Sequence, residues 1–372
     1  MVLFPLAFLM RKLVQIPANK TFEVLVALNA ALEGGDALFV SGPEINGVAP
    51  LEEIPAEVSD NTAVVIKSSG STGRPKLIEL SADALLSSAE ATEKRIGSGQ
   101  WLLSLPANYI AGLMVLVRSI KSDRQPILMN SQLPFTAEAF IRGASLMDEG
   151  KRFVSLVPTQ LARLSDAIDL DPMIYSSLRK FEAILVGGQR ADFAVMQKLK
   201  AMGINLISTY GMTETCGGCV YDGEPIGDVK LRIKDDRLEI SSSSLANDLP
   251  EWFQTNDLAR FDDSGKLEIL GRADRVIISG GLKVSLDRVE EISREIAGVQ
   301  EICAVGIGDK EFGQRVAIGF EGTPEVSDAI SSHLVEIIGR EAKPKKIKQF
   351  RDLPRLDSQK LDLQRIQQLM SE

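Results

Sequence analysis

From residue 64 to residue 76 the chain reads Val64-Val65-Ile66-Lys67-Ser68-Ser69-Gly70-Ser71-Thr72-Gly73-Arg74-Pro75-Lys76. The three apolar residues at the start predict a buried strand. The residues after Lys67 carry little bulk, and their glycines allow the backbone to fold around a ligand with its N–H groups exposed. The hydroxyl groups, Arg74 and Lys76 add hydrogen-bond donors and positive charge. The stretch therefore predicts a strand that leads into a phosphate-binding loop.

The spacing of glycine and lysine in this loop differs from GxxxxGK[ST], which excludes the P-loop of that class of NTPases. A flexible Ser/Gly linker is the remaining alternative, because linkers share this composition. Linkers rarely end in Arg-Pro-Lys directly after a strand, so we interpret the segment as a binding loop.

The composition of the chain is that of a globular protein with two or three domains. Its 372 residues are 44% hydrophobic and 25% charged, both ordinary fractions for a soluble protein. The formal net charge of −9 argues against general nucleic-acid binding, which requires a basic face. A local basic pocket for a nucleotide remains compatible with this charge.

Cysteine and histidine are scarce, which limits the chemistry available. Cys216 and Cys219 have CxxC spacing, but a structural zinc site needs four ligands and only Cys303 and His333 remain. Three cysteines imply no disulfide framework and fit the reducing cytoplasm. A Ser-His-Asp or Cys-His hydrolase would depend on His333 alone, in a helix-like stretch, which argues against that chemistry.

The first ten residues are apolar, yet they do not predict a membrane segment. They are too few to span a bilayer and lack the basic region that precedes the core of a signal peptide. We expect a buried first strand or helix, no membrane span, and a cytoplasmic protein.

Strands and helices alternate through the first two thirds of the chain, the pattern of an α/β domain. Helices are predicted at 20–33, 81–96 with Ser81 as N-cap, 113–120, 137–148, 159–165 and 193–202. Strands are predicted at 37–40, 64–66, 78–80, 101–106, 126–129, 153–157, 183–186 and 205–209.

Two of these strands end in residues suited to a nucleotide. The strand at 183–186 runs into Gly187 and Gly188, and ligands of open α/β sheets bind beyond such strand ends, although a tight turn alone would also use glycine. The next strand leads into Tyr210-Gly211-Met212-Thr213-Glu214. Its aromatic face can stack on a base, and its carboxylate can hold Mg²⁺ near phosphates.

The pattern of apolar and polar residues changes near residue 228. Short alternating segments at 229–233, 238–241 and 267–270 predict a small β-rich subdomain, with Asp257 expected in a loop within it. The stretch from Gly271 to Asp274 is the best candidate boundary, which predicts domains at 1–271 and 275–372. The second domain is predicted to be a compact α+β unit with strands at 275–278, 302–307 and 316–320 and helices at 286–296 and 326–340.

These segments, taken in order, resemble the adenylate-forming superfamily of acyl- and aryl-CoA synthetases, luciferases and peptide adenylation domains. The matching motifs are Ser68–Lys76, Tyr210–Glu214, Asp257, Gly271–Asp274 with Ser279–Lys283, and Lys360. One such motif is weak evidence, whereas five in order with compatible spacing, between about residues 60 and 362, make a strong signal. The resemblance implies a large N-terminal ATP- and acyl-binding domain of mixed α/β layers with its β-rich subdomain. A small mobile α+β lid domain follows, hinged near Asp274.

Within that superfamily the chain is most similar to the o-succinylbenzoate–CoA ligase family of menaquinone biosynthesis, in its compact actinobacterial form. The segments that carry this similarity are 101–118, 155–161 and 208–222. The short length of the chain also fits, because many relatives are considerably longer.

The resemblance implies a two-step reaction of an aromatic carboxylic acid. The acid attacks the α-phosphate of ATP to give acyl-AMP and pyrophosphate, and the thiol of CoA then attacks the acyl carbon and releases AMP. Both steps put negative charge on oxygens, so the protein must supply positive charge and N–H donors. ATP, Mg²⁺ and CoA, the last as co-substrate, are the implied cofactors, and a homodimer is left open.

The resemblance also assigns roles to individual residues. One group would hold the β- and γ-phosphates and the departing pyrophosphate: Ser68, Ser69, Gly70, Ser71, Thr72, Gly73 and Lys76. A second group would form the adenine pocket: Gly187, Gly188, Tyr210 and Gly211. Thr213 would contact phosphate and Glu214 would bind Mg²⁺.

The remaining roles fall in the C-terminal third. Asp257 would bind both ribose hydroxyls, with Arg272 near the ribose and phosphate. Gly281 and Lys283 would face the CoA channel. Lys360 would bridge the substrate carboxylate and the α-phosphate as a mobile point charge. A solvated lysine between acidic neighbours is the alternative for Lys360.

Two positions depart from the superfamily pattern. Gln359 precedes Lys360 where relatives usually have glycine, which adopts positive φ at no cost. Tyr109 stands where many relatives have histidine, at a position that the resemblance associates with the gate of the acyl site.

Three functions therefore stay open: an o-succinylbenzoate–CoA ligase, another acyl- or aryl-CoA ligase, and a degenerate nucleotide-binding relative without turnover. A second carboxylate on the substrate would need a cationic partner. The candidates are Arg118, Arg163 and Arg190, among which the sequence does not choose.

Overall fold

The computed structural model describes residues 10–45, 47–68, 76–130, 133–355 and 361–372. Two compact units divide the chain: unit 1 comprises Met1–Leu231 and Ile240–Phe253, and unit 2 comprises Arg232–Glu239 and Gln254–Glu372. Three predicted features lie outside the described residues: the apolar stretch before Met10, residues 69–75 of the phosphate loop, and Lys360 with Gln359.

The first sheet of unit 1 carries the strands that flank the predicted phosphate loop. Its described strands are β1 (Met10–Pro17), β2 (Ala37–Ser41), β3 (Glu57–Ser59), β4 (Thr62–Ser68) and β5 (Lys76–Ser81). They are ordered β3-β1-β2-β4-β5, with β1, β2 and β4 parallel and β4 antiparallel to β5. Residues 64–66 lie buried within β4, which confirms the strand predicted there.

Two helices belong to this part of the chain, α1 (Thr21–Leu32) and α2 (Ala82–Ile96). The Ser81 Oγ accepts a hydrogen bond from the Ala84 N–H at 3.1 Å, which confirms the predicted N-cap of α2. The helix ends at Gly97, whose φ of +94° stops it.

The second sheet of unit 1 is mixed. Its described strands are β6 (Gln100–Leu103), β7 (Ile127–Leu128), β8 (Arg152–Leu156), β9 (Ala183–Val186), β10 (Leu206–Met212), β11 (Gly217–Tyr221) and β12 (Glu224–Pro225). They are ordered β12-β11-β10-β9-β8-β6-β7, parallel from β7 to β10 and antiparallel from β10 to β12. The helices between them are α3 (Ile110–Lys121), α4 (Ala137–Ser145), α5 (Pro158–Ile168), α6 (Pro172–Leu178) and α7 (Phe193–Ala201).

Alternate residues of the parallel strands enter two separate hydrophobic cores. In β9, Ala183 and Leu185 belong to one core, while Ile184 and Val186 belong to the other. Both faces of this sheet are therefore covered, as parallel sheets require. Polar groups can meet a ligand here only beyond the ends of the strands.

Unit 2 contains most of a four-stranded sheet and all of a five-stranded one. The four-stranded sheet comprises, in order, β13 (Lys230–Lys234), β14 (Arg237–Ser241), β15 (Phe253–Phe261) and β16 (Leu267–Arg272). The described strands of the other are β17 (Val276–Ser279), β18 (Leu282–Ser285), β19 (Val299–Asp309), β20 (Gly313–Gly322) and β21 (Lys346–Gln349). Their order is β18-β17-β20-β19, with β21 beside β20. The helices are α8 (Leu286–Arg294), α9 (Val326–Ile337) and α10 (Leu363–Ser371).

The expectation that Asp257 lies in a loop is wrong. Asp257 is in the middle of β15, opposite Arg272 of β16. Alternate residues of β15, among them Thr255, Asp257 and Ala259, are buried, so sheet pairing overrides the turn preference of the Asn-Asp pair.

Residues 254–271 belong to unit 2, together with the C-terminal third of the chain. The domain boundary at Gly271–Asp274 stays a prediction. No helix within the described ranges is long and apolar enough to cross a membrane.

Candidate functional site

The residues predicted for the adenine pocket lie at the carboxyl ends of two neighbouring parallel strands of unit 1. Gly187 and Gly188 follow β9, and Tyr210 and Gly211 lie in the last part of β10. Thr209 ties the two strands together, because its Oγ1 donates a hydrogen bond to the Val186 carbonyl at 3.2 Å. This edge is where open α/β sheets bind ligands.

Two of these glycines are required by close packing of the backbone. A Cβ atom on Gly187 would lie 2.3 Å from the Thr209 Oγ1, and one on Gly211 would lie 1.9 Å from the Gly217 carbonyl oxygen. The tight-turn alternative fits Gly188 instead, because its φ is +85°.

Thr213 and Glu214 are carried by a short 3-10 turn, Thr213–Thr215, that is fixed from several sides. The buried Thr215 hydroxyl accepts from the Met212 N–H at 2.9 Å and lies 2.7 Å from the Gly217 carbonyl oxygen. Cys216 closes the turn in the left-handed region, with φ 50°, and its carbonyl accepts from the Ser88 hydroxyl of α2 at 2.8 Å. We name residues 213–216 the Glu214 turn.

The Glu214 carboxylate is available to a cation. The side chain is half-buried and forms no hydrogen bond or ion pair with any residue that the structure describes. Carboxylate oxygen is the ligand type that Mg²⁺ prefers, and Mg²⁺ commonly completes its shell with phosphate oxygens and waters. Glu214 therefore fits a Mg²⁺ that is shared with phosphates.

Three predicted residues of unit 2, Asp257, Arg272 and Asp274, form a charged cluster. The Arg272 Nε and Nη2 lie 2.8 and 2.7 Å from the two Asp274 carboxylate oxygens, and its Nη1 lies 3.5 Å from the Asp257 Oδ1. The hydrogen-bonded Asp274 carboxylate raises the pKa of Arg272. Asp257 is only 7% exposed, so its carboxylate is held in one place.

Gly281 and Lys283 lie at and beside the tip of the hairpin formed by β17 and β18. Gly280 and Gly281 both have positive φ, +59° and +84°, as two-residue hairpin turns require. Both Gly281 and Lys283 are exposed.

The structure removes one of the three arginine candidates for a second substrate carboxylate. Helix α3 begins beyond the carboxyl end of β6 and runs back along the sheet, which carries Arg118 about 12 Å from the start of the helix. Arg118 is 6% exposed, and its guanidinium carbon lies 5.0 Å from the centre of the Trp101 ring. The other two candidates are Arg163 on α5, whose Nη1 donates to the Phe135 carbonyl at 3.3 Å, and the exposed Arg190 after β9.

The two cysteines with CxxC spacing are buried packing residues. Cys216 and Cys219 are 0% and 2% exposed. Burial raises the pKa of both thiols, that of Cys219 to about 12. Within the described ranges, no group of three or more His, Cys, Asp and Glu side chains could hold a metal ion.

We expect the thiols of the folded protein to react very slowly with thiol reagents. The thiolate is the reactive species, and Cys216, Cys219 and Cys303 are all buried with raised pKa values. A colorimetric thiol reagent in mildly alkaline buffer should therefore react with almost none of them, and with all three after addition of guanidinium chloride. A thiol that reacts rapidly in the native protein would contradict the buried arrangement.

Comparison with known proteins identifies the family of the chain. Residues 10–241, more than half of the chain, match the family described as AMP-binding enzyme. The chain belongs to this family. A relative from Mycobacterium tuberculosis strain H37Rv, named probable 2-succinylbenzoate–CoA ligase, is 34% identical, over 93% of this chain and 95% of the relative. The 2-succinylbenzoate–CoA ligase of Bacillus licheniformis is 28% identical, over 84% of this chain and 71% of that one.

Solved structures confirm the AMP-binding enzyme fold. The o-succinylbenzoate CoA synthetase of Bacillus subtilis, in complex with its acyl-adenylate intermediate, superposes with a TM-score of 0.73. It is 22% identical and the match covers 95% of this chain and 83% of that one. The corresponding E. coli protein with a bound analogue gives a TM-score of 0.70 at 20% identity, over 98% and 89% of the two chains. The predicted α/β fold is therefore confirmed.

Proposed function

We propose that this AMP-binding enzyme is an AMP-forming acid–CoA ligase that converts 2-succinylbenzoate, ATP and CoA to 2-succinylbenzoyl-CoA, AMP and pyrophosphate in menaquinone biosynthesis. The observation that carries the proposal is the near full-length likeness to the mycobacterial relative. That likeness covers 93% of this chain and therefore extends into both units.

The residues of unit 1 support the adenylation step. Ser68 and Lys76 lie opposite each other where β4 ends and β5 begins, so these two residues of the proposed phosphate-binding group are close together. The Glu214 turn supplies Thr213 as a phosphate contact and Glu214 as a carboxylate for Mg²⁺. A bound Mg²⁺ would neutralise charge on the β- and γ-phosphates. Tyr210 provides an aromatic face for adenine.

The residues of unit 2 have separate proposed roles. The fixed Asp257 carboxylate accepts hydrogen bonds from ribose hydroxyls, beside Arg272. Gly281 and Lys283 serve the CoA step from the exposed hairpin tip. Lys360 supplies positive charge to the reacting carboxylate and α-phosphate. Domains at 1–271 and 275–372 with a hinge near Asp274 complete the proposal.

The substrate fits the two remaining arginine candidates. 2-Succinylbenzoate carries two carboxylates, of which one is activated and the other stays charged. A guanidinium binds a carboxylate through paired N–H donors. Arg163 and Arg190 therefore share the proposal, while the buried Arg118 over Trp101 is outside it.

Thioester formation tests the proposed function. Purified protein with Mg-ATP and CoA should form a thioester from 2-succinylbenzoate, and pyrophosphate should exchange into ATP only when this acid is present. A panel of benzoate, malonate and fatty acids is the control. If only another acid forms a thioester, the protein is an acid–CoA ligase whose substrate is that acid and not 2-succinylbenzoate. No exchange with any acid would favour a nucleotide-binding relative without turnover.

The proposal places the reaction in the cytoplasm, where ATP and CoA are available. A homodimer stays a prediction, which light scattering of the purified protein tests.

A further inference from the structure

A loop between β14 and β15 connects the Glu214 turn to the hairpin formed by β4 and β5. We name residues 242–247 the bridging loop, and all of them belong to unit 1. No predicted site residue lies in this loop. Its contacts reach four different elements: the Glu214 turn, β4, β5 and α2.

Two successive backbone N–H groups of the bridging loop point at two different segments. The Ala246 N–H donates to the Glu214 carbonyl at 2.8 Å, and the Asn247 N–H donates to the Glu79 carbonyl of β5 at 2.9 Å. Adjacent Cα atoms are 3.8 Å apart, so these two hydrogen bonds fix the spacing between Glu214 and β5.

The Asn247 side chain holds this pair of residues in place. Its Nδ2 donates to the Thr62 Oγ1 at 3.0 Å and to the Asn61 Oδ1 at 3.2 Å. The buried Thr62 hydroxyl in turn donates to the Glu79 carboxylate at 2.6 Å. Asn247 is thereby bound to both strands of the hairpin, β4 through Thr62 and β5 through Glu79.

The other end of the bridging loop is anchored separately. The Asp228 carboxylate accepts from the Ser242 hydroxyl at 2.9 Å and from the Ser243 N–H at 2.8 Å. The Ser243 and Ser87 hydroxyls are 2.5 Å apart, which ties the loop to α2. With this end fixed, Asn247 is the residue that sets where the Ala246 N–H meets the Glu214 turn.

We propose that Asn247 is a positioning residue for adenylation. It holds the Glu214 turn at a fixed place beside the hairpin whose strands, ending at Ser68 and starting at Lys76, bracket the phosphate-binding segment. The inference rests on the proposed function, in which Glu214 and that segment act on the same phosphates. Small misplacements of such groups have large effects on rate.

A positioning role of Asn247 predicts different effects on the two half-reactions. Adenylation needs Glu214 and the phosphate-binding segment together, because the triphosphate is present only in that step. Thioester formation starts from acyl-AMP, after pyrophosphate has left. A change at Asn247 that acts through the Glu214 turn should therefore slow the first step and leave the second unchanged. A general loss of stability would impair both.

The test compares Asn247→Asp and Asn247→Ala with the unchanged protein. Asn247→Asp keeps the shape of the side chain and loses the Nδ2 donor to Thr62 and Asn61. We expect the rate of ATP–pyrophosphate exchange divided by the KM for Mg-ATP to fall about tenfold in both variants. The rate of thioester formation from added acyl-adenylate should change by less than about twofold.

A second readout is independent of activity. Hydrogen exchange should become faster in peptides that cover residues 213–217 and 244–248 and stay unchanged in α4 and α7. The matched control is Asn29→Ala on α1, which removes a half-buried asparagine whose Nδ2 donates to the Glu33 Oε1 just beyond the helix at 3.1 Å. This control should match the unchanged protein in every measurement.

Two results would overturn the inference. One is an equal loss in both half-reactions, and the other is no loss in exchange despite the removed donor. Failure of the proposed function has a different signature, because the unchanged protein would then show no acid-dependent exchange at all.

Discussion

Lys360→Ala is expected to lower the rate of acyl-adenylate formation by at least about a hundredfold. The attacking carboxylate and the α-phosphate are both anionic, and negative charge concentrates on the phosphate oxygens as the bond forms. A lysine ammonium placed there lowers the energy of the transition state more than that of the bound substrates. Acid-dependent ATP–pyrophosphate exchange measures this step directly.

The effect should be confined to adenylation. The rate of thioester formation from added acyl-adenylate should stay within about threefold of that of the unchanged protein, because the α-phosphate bond is already formed. Lys343→Ala is the matched control, since Lys343 is an exposed lysine of the same unit with no predicted role. Exchange at an unchanged rate in Lys360→Ala would show that Lys360 is a solvated lysine and would favour the relative without turnover.

Arg275→Met is expected to destabilise unit 2 by about 3 kcal/mol. The Arg275 guanidinium lies 2.5 Å from the Glu290 Oε1 and 3.1 Å from the Asp287 Oδ1, and it donates to the Ala304 carbonyl at 2.9 Å. Glu290 is only 6% exposed. Removing the guanidinium leaves a buried carboxylate with its closest cation gone, which costs more than the lost contact itself. Urea unfolding followed by circular dichroism measures the loss.

The loss in Arg275→Met should depend on pH. Burial raises the pKa of Glu290 and Arg275 lowers it, so the variant raises this pKa further above the value of the unfolded chain. The folded variant then binds a proton more tightly than the unfolded chain does. Its stability therefore falls as the pH rises through the folded pKa, and the defect should be smaller in acetate buffer than in mildly alkaline buffer.

Two further variants check the mechanism of this loss. Arg288→Met removes an exposed arginine paired with Glu291 on the same unit and should cost less than about 0.5 kcal/mol. Adding Glu290→Met to Arg275→Met should restore part of the stability, because no buried charge is then left unpaired. A loss of equal size in the double variant would point to packing of the Arg275 stem instead of charge.

Features that depend on neighbouring residues were predictable from the sequence. The three apolar residues before the phosphate loop are buried in β4. Ser81 caps α2 by accepting a hydrogen bond from the N–H of Ala84, three residues further along the chain. Gly187, Gly188 and Tyr210 were placed at strand ends because the alternation of strands and helices is local and strong.

Features that depend on distant partners were not predictable. Asp257 reads as a turn residue by type, and only its pairing opposite Arg272 makes it part of a strand. The bridging loop joins residue 246 to residue 214 and residue 247 to residue 79. These pairs are so far apart in the sequence that the periodicity of apolar residues does not predict their contact. Arg118 could be separated from Arg163 and Arg190 only once the direction of α3 was known.

The burial of all three thiols makes the protein convenient for labelling. A cysteine introduced on the surface would be the one site at which maleimide dyes react quickly, so the native cysteines need not be replaced. Both tryptophans, Trp101 and Trp252, belong to unit 1, so their emission can serve as an energy-transfer donor to an acceptor dye on unit 2. Changes in transfer efficiency during turnover would then follow the distance between the two units as each substrate is added.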